Sequence, residues 1–173
     1  MPSFTVSVEA TIIATDGNSM AGAWDGTHSG LIDNAGLNGT SADVYSYSKC
    51  AVTARGSQER AFFSMKMATP KIILRLKLAF RTDGVNEWQG KNVRVQVGSG
   101  PQYNANDPVC KEIDQLTGTG LVDYDCDQFH EGQYVILSNN QTYLTICEAK
   151  VFVETATTTT TATTATTTTT GKS

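Results

Sequence analysis

The stretch YLTICEAKVF places a cysteine and a carboxylate side by side inside an apolar, β-branched run. If Leu144 and Ile146 face a core, strict strand alternation would next bury the carboxylate of Glu148. The residues that suit a core lie one position further along: Ala149, Val151 and Val153. The phase therefore slips by one residue at Cys147, which predicts a β-bulge that turns a carbonyl and a carboxylate in a new direction.

Residues able to perform catalysis are few and scattered. The two histidines, His28 and His130, lie in polar, loop-like sequence, and no serine or cysteine has the context of an activated nucleophile. One polar segment contains four acidic residues: Asp123, Asp125, Asp127 and Glu131. A pair of glycosidase carboxylates among them is the alternative to a solvated acidic loop. The loop is the simpler interpretation, so the sequence favours a protein that is not an enzyme.

Cysteine usage and glycosylation motifs indicate an extracellular protein. There are four cysteines, and none lies in a C-x-x-C pair that would suggest zinc or redox chemistry. Asn38 begins the sequon N-G-T and Asn140 begins N-Q-T, both in turn-like sequence. Each is either a used N-glycosylation acceptor or a chance match.

The end of the chain differs in composition from the rest. Residues 155–173 read TATTTTTATTATTTTTGKS, which has no apolar face to offset the entropy of ordering. Such threonine-rich tracts are typical of O-glycosylated stalks, and a bare flexible linker is the alternative. We therefore predict one domain over residues 1–154, followed by a low-complexity tail over 155–173.

Charge and hydropathy exclude several partners. The net charge is −4 and the pI is about 5.1, with no basic stripe to neutralise phosphates, so nucleic acid is not expected as a partner. No apolar run reaches the roughly 18–20 residues that cross a bilayer, so no membrane insertion is expected. The first residues lack a basic start and an apolar block, so a secreted form would have lost its leader already.

The remaining pattern is that of an all-β protein. Alternating strands are predicted with these inward residues: Phe4, Val6, Val8 and Ala10 in 4–15; Ile72, Leu74, Leu76, Leu78 and Phe80 in 71–80; and Val93, Val95 and Val97 in 92–98. A further short strand covers 133–137. Polar loops are predicted at 15–43, 82–91, 98–109 and 117–132. The sequence predicts an antiparallel β-sandwich jelly roll of about eight strands with long loops, its ends near Phe4 and Phe152 adjacent.

The C-terminal third resembles the F-type lectins, or fucolectins, of the discoidin-like, galactose-binding jelly-roll superfold. The family shows N-P-x-C, a second cysteine, a G-R-Y-V-type strand and then Y-L-T-L-C-E-V-x-V-F. The matching residues are Pro108, Cys110, Cys126, Gly132, Tyr134, Val135, Tyr143, Leu144, Thr145, Cys147, Glu148, Val151 and Phe152. Upstream, AGAWDGT is similar to the family's N-A-x-D-G-N loop, and AFRTDGVNEWQGKNVRVQVG to its sugar loop and the strand that follows.

The resemblance implies a structural Ca²⁺ ion and two disulfides. The implied ligands are carbonyls and carboxylates, the hard oxygens that Ca²⁺ prefers: Gly22, Asp25, Thr27, Cys147 and Glu148. A hydrogen-bonded loop without an ion is the alternative, since Lys49 stands where the family adds a serine ligand. The implied disulfides are Cys50–Cys147 and Cys110–Cys126.

The resemblance also implies a sugar site at Arg81 and Asp83, which match the start of the family's R-x-D-x4-R/K motif. A guanidinium can donate to vicinal hydroxyls while the carboxylate orients it. Trp88 stands at the second basic position and could stack on a pyranose face. The family's histidine has no counterpart, so fucose specificity is not expected to carry over. Arg81 could instead be a turn residue held by Asp83.

Two functions follow from these observations. The first is a Ca²⁺-stabilised, extracellular or cell-surface carbohydrate-binding domain on a threonine-rich stalk, weak for one copy and multivalent in use. The second is a structural or adhesion module that has lost sugar binding and packs against neighbouring extracellular proteins.

Overall fold

A computed structural model describes residues 7–17, 50–55, 58–81, 87–117 and 120–155 of the chain. These residues form nine strands and one short 3-10 helix, Glu87–Gly90. The strands are β1 (Ser7–Glu9), β2 (Ile12–Gly17), β3 (Ala51–Ala54), β4 (Ala61–Ala79), β5 (Lys91–Gly98), β6 (Val109–Gln115), β7 (Val122–Asn139), β8 (Tyr143–Ile146) and β9 (Glu148–Glu154). No helix within these ranges is long and apolar enough to cross a membrane.

The strands form two antiparallel sheets. The larger sheet has the order β1-β9-β4-β7-β5-β6, and β2 pairs with the first half of β4. The smaller sheet pairs β3 with β8. β1 pairs with β9 so that Ser7 lies opposite Glu154, which brings the two ends of the domain together. The prediction of an antiparallel β-sandwich with adjacent ends is confirmed for the described strands; Phe4 and Val6 lie outside the described residues.

β4 is the longest strand and organises the larger sheet. Its first half lies between β2 and β7, and its second half lies between β9 and β7. The register shifts between Ile73 and Arg75 against both neighbours. Because of this shift, the predicted inward set was wrong at Ile72 and Leu74, which are only half-buried. The buried residues of this half are Ile73, Leu76, Leu78 and Ala79, and Phe80 directly after the strand is buried as well.

Further predicted segments differ from the structure. The strand predicted over 71–80 begins at Ala61. The stretch 4–15 was predicted as one strand, but β1 and β2 pair with different partners, and Val8 is 42% exposed. The segment 117–132 was predicted as a loop, but from Val122 onward it is the first half of β7. Its polar residues alternate on the exposed side while β4 supplies the backbone partners. By contrast, 92–98 is confirmed as β5, with its three valines buried, and 133–137 is confirmed as part of β7.

The phase slip at Cys147 is confirmed, and its structural basis is a change of sheet. Leu144 and Ile146 are buried in β8, which belongs to the smaller sheet. After Cys147 the chain enters β9 in the larger sheet, where the buried residues of the core cluster are Ala149, Val151 and Val153. The Cys147 amide donates to the Ala79 carbonyl (2.9 Å), which fixes the crossing point. The sequence predicted a β-bulge within one strand. The structure instead has two strands at this point, because the chain passes from the smaller sheet to the larger one.

Both predicted disulfides are confirmed. Cys50–Cys147 joins the residue before β3 to the crossing between β8 and β9, across 97 residues of sequence. Cys110–Cys126 joins β6 to β7 across 16 residues. All four cysteines are buried, so the bridges belong to the packed interior.

Candidate functional site

Arg81 follows the end of β4 and is buried, with 6% of its surface exposed. Its Nη1 donates to the Oε1 of Gln89 at 3.5 Å, a long contact at the limit of hydrogen bonding. Asp83, the carboxylate predicted to orient this guanidinium, lies outside the described residues. The side chain seen to hold Arg81 is therefore an amide from the 3-10 helix.

Gln89 is the centre of a buried polar network. Its Oε1 also accepts a hydrogen bond of 2.6 Å from the hydroxyl of Thr145 in β8. Its backbone carbonyl accepts from the Asn139 amide (2.9 Å), and that amide also donates to the Tyr143 carbonyl (3.0 Å). These bonds tie the 3-10 helix to the turn between β7 and β8, because a buried polar group is costly unless it is paired.

An aromatic pair lies beside this network. Trp88 and Tyr143 are both half-buried, with ring centroids 5.9 Å apart and planes tilted by 47°. Gly90, at the end of the 3-10 helix, allows close packing on Phe80, since a Cβ here would lie 3.0 Å from that ring. The 3-10 helix thus packs closely against Phe80 at the end of β4, and this packing fixes the position of the Trp88 backbone.

The sequence predicted Arg81 and Trp88 but missed their partners. Gln89, Asn139, Tyr143 and Thr145 come from three elements that are distant in sequence. Gln89 and Asn139 carry no pattern of their own. Tyr143 and Thr145 were noted only as part of the family resemblance, although an aromatic residue beginning a strand beside a sequon is a signal that could have drawn attention to Tyr143.

The predicted Ca²⁺ site is described only in part. Glu148 is buried, with 1% of its surface exposed, and lies opposite Ala79 in the β4–β9 register, two residues from Arg81. The other predicted ligands, Gly22, Asp25 and Thr27, lie outside the described residues, as does Lys49. Within the described part of the chain no group of three or more acidic, histidine or cysteine side chains could hold a metal. A buried carboxylate next to a strand-crossing carbonyl is a donor set that suits a hard cation.

Two of the acidic residues considered for catalysis, Asp123 and Asp127, are engaged by basic side chains. Asp123 makes ion pairs of 3.5 Å with both Arg75 and Lys77, and Asp127 pairs with Lys111 at 2.6 Å. These three cations come from two different strands, which separates the two carboxylates into distinct ion pairs. The arrangement supports the interpretation as a solvated acidic surface. His130 lies in β7, and His28 is outside the described residues.

Of the two sequon asparagines, Asn140 is exposed on the turn between β7 and β8. Its Oδ1 accepts from the Gln141 side chain (3.0 Å) and from the Asn92 side chain (3.4 Å). Asn38 lies outside the described residues. N-glycosylation at either position stays a prediction.

A second well-fixed loop, residues 99–108, joins β5 to β6. Gln96, fully buried in β5, donates from its Nε2 to the carbonyls of Asn104 and Asp107, each at 2.9 Å. The Asp107 carboxylate lies against Gly98 and accepts from Asn104 Nδ2 at 3.2 Å. Burial raises the pKa of Asp107, and the hydrogen bond from Asn104 opposes part of that effect.

Comparisons with known proteins identify the fold but no sequence family. No family model matches the chain, and no curated protein matches it. Solved structures align with it at probability 1.00, among them a fucolectin, a fucose binding module and a module solved with galactose. All three identities are below 25%, so the likeness concerns the fold.

The f-lectin (fucolectin) from striped bass serum is 19% identical, with a TM-score of 0.64 over 82% of this chain. A fucose binding module from Streptococcus pneumoniae is 18% identical (TM-score 0.56), covering 80% of this chain and 91% of that one. The family 32 carbohydrate-binding module from C. perfringens NanJ, solved with galactose, is 14% identical (TM-score 0.58), covering 84% and 99%.

These alignments place the chain in a structural class. It has the F-type-lectin-like fold of the discoidin-like β-sandwiches, as the resemblance implied. The chain spans 45% of the length of the striped bass fucolectin chain.

Proposed function

We propose that the domain binds carbohydrate at the end of β4, where Arg81, Trp88 and Tyr143 meet. The observation that carries the proposal is the half-buried Trp88–Tyr143 aromatic pair, since Trp88 belongs to the same 3-10 helix whose Gln89 side chain accepts from the Arg81 guanidinium. Charge-assisted hydrogen bonds from a fixed guanidinium and a stacking face are the two contacts that a pyranose ring requires. Asp83, predicted to complete the site, lies outside the described residues.

Solved proteins of the same fold support this assignment. The pneumococcal protein is a fucose binding module, and the NanJ module was solved with galactose. The ligand of this chain is expected to differ in detail, because the family's histidine and second basic residue have no counterparts. Two hydrogen-bonding groups and one stacking face give weak affinity for a single site, so useful avidity requires several copies.

The wider proposal is an extracellular, non-enzymatic lectin with a structural Ca²⁺ ion at Glu148 and the Cys147 carbonyl. The two internal disulfides support an oxidising environment. The tail over 155–173 would act as an O-glycosylated stalk, on which multivalent display depends.

A glycan array of the oxidised domain tests the proposal, read in Ca²⁺ and in chelator. Arg81→Ala and Trp88→Ala should each remove binding to every glycan the array identifies. Arg75→Ala is the matched control: it removes an arginine that stacks on Phe152 on the sheet face, 4.5 Å from the ring, and should leave binding intact. Hits that survive Arg81→Ala would contradict the assignment of the site.

A structural or adhesion module is the second candidate, and the burial of Arg81 favours it. A guanidinium that is 6% exposed has little surface for a ligand, and it can serve the turn after β4 alone. Under this alternative the array shows no hits, while Arg81→Ala still lowers stability.

A further inference from the structure

A cleft separate from Arg81 lies on the exposed side of β5 and β6, with a volume of about 250 Å³. Its polar lining comes from Arg60, Asn92, Arg94, Glu112, Asp114 and Asn140, and we call it the Arg60 cleft. Val93 and Ile113 close it from below. Pockets for drug-sized ligands usually have about 300–1,000 Å³, so this cleft suits one small ring.

Arg60 is fixed in the wall of the cleft. Its Nε donates to Ser138 Oγ (3.0 Å), and its Nη2 donates to the carbonyls of Asn92 (3.0 Å) and Ser138 (3.3 Å). Among the described residues no acceptor is bonded to Nη1, and no carboxylate forms an ion pair with the group. Its carbon Cζ lies 5.9 Å from the Tyr103 ring centre. Burial lowers the pKa of Arg60, and Tyr103, Glu59 and Glu112 oppose part of that effect. The groups that accept its hydrogen bonds are all neutral. Arg60 is therefore a fixed donor whose Nη1 hydrogens make no bond to any described residue.

The acceptors of the cleft come from β6. Arg94 directs both Nε (2.9 Å) and Nη2 (2.7 Å) to a single oxygen of Glu112, which leaves the second carboxylate oxygen available. Asp114 is exposed and makes no hydrogen bond within the described residues. Two guanidinium groups and two carboxylates thus surround the cleft, with a formal sum of zero.

Two amides complete the lining. Asn92 holds a left-handed backbone conformation, with φ at 52°, where asparagine is tolerated better than most residues. Its side-chain Nδ2 donates to Asn140 Oδ1 at 3.4 Å. The backbone conformation of Asn92 and this hydrogen bond together place the side-chain amides of Asn92 and Asn140 at the same edge of the cleft.

We propose that the Arg60 cleft is a second carbohydrate site, which takes a neutral pyranose. Each sugar hydroxyl both donates and accepts, so a wall that alternates guanidinium, amide and carboxylate groups matches it. A uronate or sulfated sugar gains no net electrostatic attraction, because the two guanidinium groups and the two carboxylates of the lining cancel in charge. The cleft shares no lining residue with the site at Arg81 and Trp88, so the two can bind independently.

The test is an NMR titration of ¹⁵N-labelled domain with methyl glycosides of galactose, fucose, glucose and mannose. The protein should come from a host without N-glycosylation, because a glycan on Asn140 would occupy the rim. At least one glycoside should shift the Asn92 and Arg94 amides and the Arg60 Nε–H. Asp114→Asn should weaken this binding at least tenfold, and the exposed variant Asp125→Asn should leave it unchanged.

The same titration separates the two sites. The Trp88 indole N–H reports the site at Arg81, so Arg81→Ala should abolish its shift and leave the cleft resonances responding. Three results would overturn the second site: no response of the cleft to any of the four glycosides, tighter binding of methyl glucuronide than of the neutral sugars, or full binding by Asp114→Asn. None of these results bears on the Trp88 signal.

Discussion

Single buried amides position the loops of this domain. Gln89 fixes Arg81 and Thr145 on one side of the molecule, and Gln96 fixes the 99–108 loop on another. Each amide is almost fully buried. Gln89 accepts from Thr145 in β8, 56 residues away, and Gln96 donates to two carbonyls of the loop that follows β5. Because an amide both donates and accepts without charge, it ties a loop down at a smaller desolvation cost than an ion would.

Asp107→Asn is expected to stabilise the domain slightly at neutral pH. The native pKa of Asp107 is raised from its ordinary value of 3.8 because burial disfavours the charged form. The native state therefore holds this proton more tightly than the unfolded chain, and the native state loses stability as the pH rises from the unfolded pKa through the native one. Above that window the carboxylate carries its full penalty, which the neutral amide avoids.

Urea unfolding of both proteins from pH 3 to 7 measures this effect. The difference in unfolding free energy should be near zero at the acid end and favour the variant at pH 7. Asp125→Asn, which also removes one exposed carboxylate, controls for the change in net charge. A variant less stable than the parent at pH 7 would show that the carboxylate's bond to Asn104 matters more than its desolvation.

Among the elements, β7 depends on a close approach at Gly132. This residue lies opposite Lys71 where the β4–β7 register shifts, and Gln133 bridges the irregularity by donating to the carbonyls of Met67 (3.1 Å) and Ala68 (3.2 Å). A Cβ at Gly132 would lie 2.5 Å from Val97 Cγ1 and 2.9 Å from the Gly98 carbonyl oxygen. Val97 and the backbone of Gly98 in β5 occupy the space that a Cβ would need, so position 132 in β7 requires glycine.

Gly132→Ala is therefore expected to lower stability by about 1–3 kcal/mol, the usual cost of overpacking. Gly100→Ala provides the control, because a Cβ there meets nothing within 4 Å. Thermal unfolding followed by circular dichroism compares the two variants. Equal melting temperatures for both would mean that β5 and β7 can separate without cost.

Strands in which apolar and polar residues alternate regularly could be predicted from the sequence, and so could residues that belong to a recognised family motif. β5 and the phase slip at Cys147 follow from local pattern, and the disulfides follow from the family resemblance. The first half of β7 could not be predicted, because its acidic, glycine-containing sequence is extended only by pairing with β4 and by the Cys110–Cys126 bridge. Gln89 was missed for a similar reason: apart from Arg81, its partners Asn139 and Thr145 lie 50 and 56 residues away in sequence.

At the scale of the whole molecule, the two disulfides should differ in their contributions. In the chain-entropy description a loop closed over 97 residues stabilises the fold by about 4.7 kcal/mol, and one closed over 16 residues by about 3 kcal/mol. Replacing Cys50 and Cys147 with alanine should therefore destabilise the domain more than replacing Cys110 and Cys126. Guanidinium unfolding of the two double variants tests the order, and the reverse order would show that local packing outweighs loop closure.

Ca²⁺ is expected to stabilise the fold, because an ion that binds only the native state shifts unfolding by mass action. Chelator should lower the melting temperature of the parent protein, and Glu148→Gln should remove that difference. Glu112→Gln, far from the predicted ligands in sequence, is the control and should keep the response to chelator. A parent melting curve that ignores both Ca²⁺ and chelator would indicate that Lys49 takes the place of the ion.

The direction of β9 has a consequence for how the domain is presented. The strand begins at Glu148, opposite Ala79 and near Arg81, and ends at Glu154, opposite Ser7. Six residue steps of about 3.3 Å separate its two ends by roughly 20 Å. The threonine-rich tail thus begins at the end of β9 that is farther from Arg81. In a domain anchored through that tail, the end that carries Arg81 and Trp88 is farther from the point of attachment than Glu154 is.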